Sequence, residues 1–321
     1  MPMSSEPSRF PRIVLSALLV LFFLCPAFSE APPYPKFFSG AGTFFTVGGA
    51  NEYVYTGSTG SGLTSQLNWP IPLSMGAWTL FGARLSPHWE VNLRFQGAQS
   101  LLTSEMTDQD WNIFDSDGNS ITHQQSTSTS YLDANWEIRL ETAFPFPLFE
   151  FEARPLAGVF YHQYYWEAWG GNLTVNYANG LVGSATWYGT SATYRQEWVV
   201  PYLGFELRQD MKSWSWGGAL RVSPYLFSYN TDEHILRTLT FNDSLSGGVM
   251  VEPSLTNSWV LMPNVSLEAE ASYRLILGPR GDETVSQGGS SSSLGLFTSY
   301  TGSAGADVQI FTGSLGLKVV F

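Results

Sequence analysis

Three segments of this chain alternate apolar and polar residues over unusual lengths. Leu132–Glu141 sets Leu132, Ala134, Trp136, Ile138 and Leu140 against Asp133, Asn135, Glu137, Arg139 and Glu141. Trp89–Gln96 and Val265–Leu275 behave alike, the latter with Glu268, Glu270 and Arg274 on one face. Successive strand residues point to opposite faces, so each segment is a strand with an apolar side and a charged side. At about ten residues they exceed the usual five or six. A soluble sandwich also alternates, so the pattern alone does not decide the fold.

Three further features decide it. Residues 1–29 have the layout of a secretory signal: basic Arg9 and Arg12, apolar Ile13–Leu24, then the small-x-small site Ala27-Phe28-Ser29. That run is too short to cross a bilayer as a helix, and no other long apolar run follows. The two-faced strands, in contrast, are long enough to cross with tilt. The last strand alternates Leu315, Leu317 and Val319 up to a terminal Phe321, which resembles the assembly signal of bacterial outer-membrane barrels. Only a closed barrel satisfies every strand hydrogen bond in lipid. The expected fold is therefore all-β, a ten-stranded antiparallel transmembrane β-barrel filling residues 30–321 as one domain.

The strand count comes from turn signals. Ser86–His88, Phe144–Pro147, Asp210–Ser213 and Asn257–Asn264 are compact and read as inner turns. Polar segments at about 51–64, 104–130, 170–192, 230–240 and 278–300 read as outer loops, the last holding the tract Gly288–Ser293. Four turns and five loops join ten strands, the even number a bacterial barrel requires.

Composition agrees. The 321 residues carry 15 basic and 27 acidic side chains, a net charge of −12, which argues against nucleic acid as a partner. Charged residues are 13 % of the chain, about half the usual share, while aromatics reach 15 %. A lipid-facing wall with aromatic girdles accounts for both. The one cysteine, Cys25, lies in the leader, which excludes a disulfide framework and a cysteine-based zinc site. No histidine pair has zinc spacing either, so no metal site and no cofactor is expected.

Two acidic clusters could carry chemistry. Thr107-Asp108-Gln109-Asp110-Trp111 stands above the third strand, and Asn230-Thr231-Asp232-Glu233-His234 above the seventh. In extended chain, Asp-x-Asp turns both carboxylates to one side, and Asp-x-His does so for a carboxylate and an imidazole. A carboxylate orients a histidine ring and stabilises its protonated form. Two close carboxylates resist joint ionisation and share a proton. Facing each other across a barrel mouth, the four groups would activate a water. Taken singly, Asp-x-Asp in a polar loop also describes a solvated turn or a calcium ligand.

Together the two motifs resemble the omptin family of bacterial outer-membrane endopeptidases. Thr107–Trp111 is similar to that family's Val-Asp-Gln-Asp-Trp, and Asp232-Glu233-His234 to its Asp-Glu-His. Asn51–Tyr55, Ser65–Trp69, Pro201–Gly204, the turn at Pro263 and the last strand agree in order. The resemblance implies a site at the outer end of the barrel, exposed to the exterior. Asp232 would orient His234, and His234 would take a proton from a water held between it and Asp108. Asp110 would pair with Asp108, supplying or stabilising a proton. It also implies peptide or protein substrates with basic residues at the scissile bond, a monomer in outer-membrane lipid, and Glu52 in the pocket for the residue before that bond.

The chain departs from the family at two places. Asn230 stands where a second pocket acid is expected, which should weaken selection for Arg or Lys. Gln163 and Glu197 stand where two arginines of a lipopolysaccharide site are expected, and Glu197 would repel a lipid phosphate. Lipopolysaccharide as an activator is therefore in question. The competing reading is a barrel of the same architecture that does not cleave: a porin, or an adhesion or host-contact protein.

Overall fold

The computed structural model describes residues 34–56, 62–115, 117–287 and 297–321. The leader and the Gly288–Ser293 tract lie outside them. Ten strands follow one another around a ring. The first is Lys36–Thr56 and the second Gly62–Ser86. The third has two pieces, Trp89–Ser100 and Ser104–Phe114. The fourth is Ser120–Ala143, the fifth Phe151–Tyr177, and the sixth Val182–Asp210. The seventh (Trp214–Ser223, Leu226–His234), eighth (Leu239–Gly247, Val249–Met262) and ninth (Val265–Leu277, Arg280–Gln287) are each in two pieces. The tenth is Phe297–Val320. It pairs antiparallel with the ninth and with the first, from Phe38↔Val320 to Val54↔Ala304, and this closes the ring.

Polarity is inverted around the lower half, the end that carries Lys36 and Phe321. Leu93, Phe95, Ile138, Leu140, Leu315 and Leu317 point outward and are exposed, whereas Glu137, Arg139 and Glu141 point inward and are buried. A wall apolar outside and charged inside is what lipid demands of a strand. Trp89, Trp214 and Trp259 are exposed near the lower turns, where an aromatic girdle belongs. Among the described residues no helix is long and apolar enough to cross a membrane.

Details of the expected layout change. The segments expected as outer loops are mostly strand, because the ring continues well above the apolar band. Asp108 and Asp110 sit within the third strand, and Asn230 and Asp232 within the seventh. These segments read as loops because, without lipid outside, they lack the apolar face that marks a membrane strand. The turn expected at Asn257–Asn264 is only Pro263-Asn264, since the eighth strand runs to Met262. Phe146–Leu148 is a short strand rather than a turn and folds back on Phe151–Ala153. A bulge between Leu132 and Ala134 switches the faces of the fourth strand. Leu132 therefore points inward and is fully buried, although its alternation placed it with the outward set.

Two layers fill the lumen. Below, Glu252 receives both guanidinium ends of Arg139 at 2.7 and 3.0 Å and the Nε of Arg274 at 2.5 Å. Glu137 binds the same two arginines, Glu141 binds Arg221 at 2.7 Å, and Glu270 binds Arg94 at 2.5 Å. Above this network lies an aromatic floor. Trp69 stacks on Tyr194 at 5.2 Å, Tyr194 on Trp166 at 5.6 Å, and Trp166 on Tyr164 at 5.3 Å. All four are at most 1 % exposed.

Candidate active site

The cleft above this floor is built by prolines and register. Pro70 and Pro72 lack the N–H groups that the ladder needs, so pairing between second and third strands lapses there. The third strand breaks at Leu101–Thr103 and resumes at Ser104. Its upper piece then pairs Asp108 with Leu67 on one side and Ser126 on the other. Asp108 turns inward and is 8 % exposed. Asp110 lies on the same face and accepts a 2.5 Å hydrogen bond from Gln124 Nε2. The expectation that Asp-x-Asp presents both carboxylates to one side holds because this segment is extended.

The seventh strand brings up the second cluster. Asp232 and His234 share its inner face, and His234 Nε2 donates to Asp232 Oδ2 at 2.7 Å. Phe241, the cross-strand partner of Asp232, packs its ring edge-on to the imidazole at 5.1 Å. The carboxylate and the aromatic ring together fix the imidazole's plane and leave Nδ1 free for a second partner. The chain then turns back through the single 3₁₀ turn Ile235–Arg237, with Thr238 in the left-handed region at φ 51°.

Asp108 and His234 line one cavity of about 200 Å³, with Ser126, Ser128, Ser191, Leu67, Met106 and Arg237 among its other walls. A water's share of liquid volume is about 30 Å³, so the cavity holds several. Burial pushes Asp108 upward and Asp110's charge adds to it, outweighing His234 and Arg237, so its carboxyl lies at about 7. Burial alone pushes His234 down, but the Asp232 carboxylate outweighs it and the net shift is upward. The arrangement is thus a proton acceptor with tuned affinity facing a carboxyl that holds or releases a proton near neutrality.

Glu52 is 3 % exposed and belongs to the same group: burial raises its pKa well above the usual range, and the charges of Asp232, Asp243, Glu283 and Asp108 raise it further. Asn230 is equally buried one position pair below Asp232. The structure therefore gathers Glu52, Asp108, Asp232 and His234 at the upper end, with Asp110 and Asn230 on the same inner faces. Asp243 and Glu283, also inward and buried, were not anticipated. They come from the eighth and ninth strands, and only cross-strand register aligns them with Asn230. Gln163 and Glu197 are cross-strand partners on the outer wall. The Tyr161 hydroxyl bonds both, and Arg195 lies 3.5 Å from Glu197.

Comparison with known proteins places this geometry. Residues 39–321 match the Omptin family. The chain is 25 % identical over 300 residues to the plasminogen activator of Yersinia pestis, covering 89 % of this chain and 90 % of that protein. It is 24 % identical over 289 residues to the outer membrane protease IcsP of Shigella flexneri, covering 85 % and 87 %. The crystal structure of the outer membrane protease OmpT from Escherichia coli shares the fold, with a TM-score of 0.76 at 20 % identity over 92 % of this chain and 99 % of that one.

Proposed function

Because this chain belongs to the omptin family, we propose that it is an endopeptidase of the outer membrane working at the upper mouth of its barrel. The upper mouth faces the exterior, since the compact turns at Pro87-His88 and Pro263-Asn264 lie at the opposite end. The observation that carries the reading is the Asp232–His234 hydrogen bond beside a cavity that Asp108 also lines.

In the proposed reaction His234 takes a proton from a water held between it and Asp108. The water oxygen attacks the peptide carbonyl carbon, and no covalent enzyme intermediate forms. Asp232 stabilises the imidazolium produced. As the C–N bond breaks, the imidazolium returns its proton to the leaving amine. Asp110 stabilises the proton held by Asp108. Glu52 selects a basic residue before the scissile bond. The protein acts as a monomer, without metal or cofactor.

A pore is the weaker reading. The lower lumen is crossed by the Arg139–Glu252–Arg274–Glu137 network. A hydrated ion would have to break several buried ion pairs to pass.

The test refolds the chain in detergent, with and without lipopolysaccharide, and adds quenched peptides with basic and neutral sites. Cleavage that disappears in His234→Ala is the expected result. Equal signals from wild type and that variant would sink the proposal. With Glu197 against the wall and no arginine at 163, the rate is expected to change less than about twofold on adding lipopolysaccharide.

A further inference from the structure

Asn230 removes a charge from the pocket, yet the pocket is not short of charge. Asn230 and Asp243 are cross-strand partners, and Asp243 is in turn the partner of Glu283. Ser228 Oγ donates to Asn230 Oδ1 at 2.8 Å. That bond turns the Asn230 amide nitrogen toward Asp243, where it donates to Oδ2 at 3.5 Å. The other oxygen, Asp243 Oδ1, has no hydrogen-bond partner, although Asp243 is 5 % exposed. Glu52 Oε2 is left the same way at 3 % exposure. The tenth strand lies between Glu283 and Glu52, with Tyr300 opposite Glu283, Ala306 opposite Glu52, and Ser303 and Ala304 buried between; none of these is a cation that would neutralise the acids. The floor beneath is Tyr194, whose hydroxyl is held protonated by burial and then by Glu52 and Asp243.

Buried carboxylate oxygens without donors are costly unless something charged completes them. We propose that Asp243 supplies the pocket charge that Asn230 lacks. Glu52 and Asp243, with Glu283 beside Asp243, then bind the cationic side chain of an arginine or lysine preceding the scissile bond. Asn230 is a positioning residue that holds one oxygen of Asp243 and leaves the other free. Selection for a basic residue is retained, with its second acid moved one strand along. Two carboxylates on separate strands suit the forked guanidinium, which donates in two directions. This rests on the protease reading for the place of the pocket, though not for its charge.

The test measures binding as well as cleavage. Peptides identical except for arginine or its neutral isostere citrulline are titrated, by fluorescence anisotropy, into the refolded His234→Ala protein. The same pair is used for cleavage by the otherwise wild-type chain. The arginine peptide is expected to bind more tightly, and Asp243→Asn to cut that preference ~30-fold. The exchange Asn230→Asp with Asp243→Asn is expected to restore it, which separates charge placement from a merely structural loss. Preference unchanged in Asp243→Asn, or no binding of either peptide, would overturn the proposal. Arginine-selective binding without cleavage by the wild-type chain would leave the pocket standing and remove the protease reading.

Discussion

The barrel buries acids at two levels and treats them in opposite ways. In the lower lumen Glu137, Glu141, Glu252 and Glu270 each bind an arginine within 3.0 Å. In the upper cleft Glu52, Asp108, Asp232 and Asp243 each keep one oxygen without a partner. The same chain, with the same strands, therefore pairs charge where the interior must be closed and leaves it open where something must enter. The lower network is charge-paired without a ligand, since even Glu137 Oε2, which has no hydrogen bond, lies 2.7 Å from Arg274. The upper one is complete only with a water, a proton or a cation supplied from outside. Stability and activity should separate along this line.

The largest effect is expected at the imidazole. His234→Ala removes the proton acceptor and should lower kcat/KM about 10³-fold or more with the barrel intact, checked by peptide hydrolysis alongside circular dichroism. A similar loss from Asp108→Ala would tie both walls of the cavity to one step. A variant at either position that cleaves at the wild-type rate would move the chemistry elsewhere.

Next comes a matched pair of substitutions, one at each level. Glu252→Gln leaves Arg139 and Arg274 sharing Glu137 as their one carboxylate and should cost ~3 kcal/mol of stability. Glu52→Gln should cost none. Burial and like charges raise the Glu52 pKa above its unfolded value, so folding favours the neutral acid. Its contribution to stability is lost as pH rises from the unfolded value through the folded one. At alkaline pH the Glu52→Gln protein should therefore be at least as stable as wild type, with the difference shrinking toward pH 4. Urea titrations at several pH values give both numbers, and equal losses at both levels would erase the distinction.

This contrast also marks how far the sequence could be read. Strands of the lower half were legible because lipid on one side and a charged lumen on the other write a period of two into the chain. The upper strands have water outside, so Ser120–Ser130 reads as part of a polar loop although it is strand. The four candidate groups were legible because Asp108 with Asp110, and Asp232 with His234, lie two residues apart on one strand face. Asp243 and Glu283 were not, because only the register of three adjacent strands brings them beside Asn230. The same register turns an apparent loss of pocket charge into a change of its address.

A third prediction concerns protons. Asp232 raises the His234 pKa above its ordinary value, and the base works only when neutral. The rate should therefore climb with pH through a midpoint above about 6.5. Asp232→Asn removes the charge that favours the imidazolium, so the midpoint should move to lower pH while the maximal rate falls. Rate–pH profiles of both proteins decide this. An unmoved midpoint would mean that the limb belongs to another group, with Asp108 at about 7 the first candidate.

The smallest effect should come from salt, and it separates the two levels without any mutation. Acids of the open cleft that ionise as a basic peptide enters attract it through a field that ions screen, whereas paired charge inside a closed lumen is screened little. Raising ionic strength from about 0.01 M to 0.15 M should lower kcat/KM for an arginine peptide several-fold. For its citrulline twin the change should be slight. Over the same range the urea midpoint of the empty barrel should hardly move, because the Arg139–Glu252–Arg274 network lies out of reach of mobile ions. A salt effect of equal size on both peptides would place the attraction on the outer surface and not in the Glu52–Asp243 pocket.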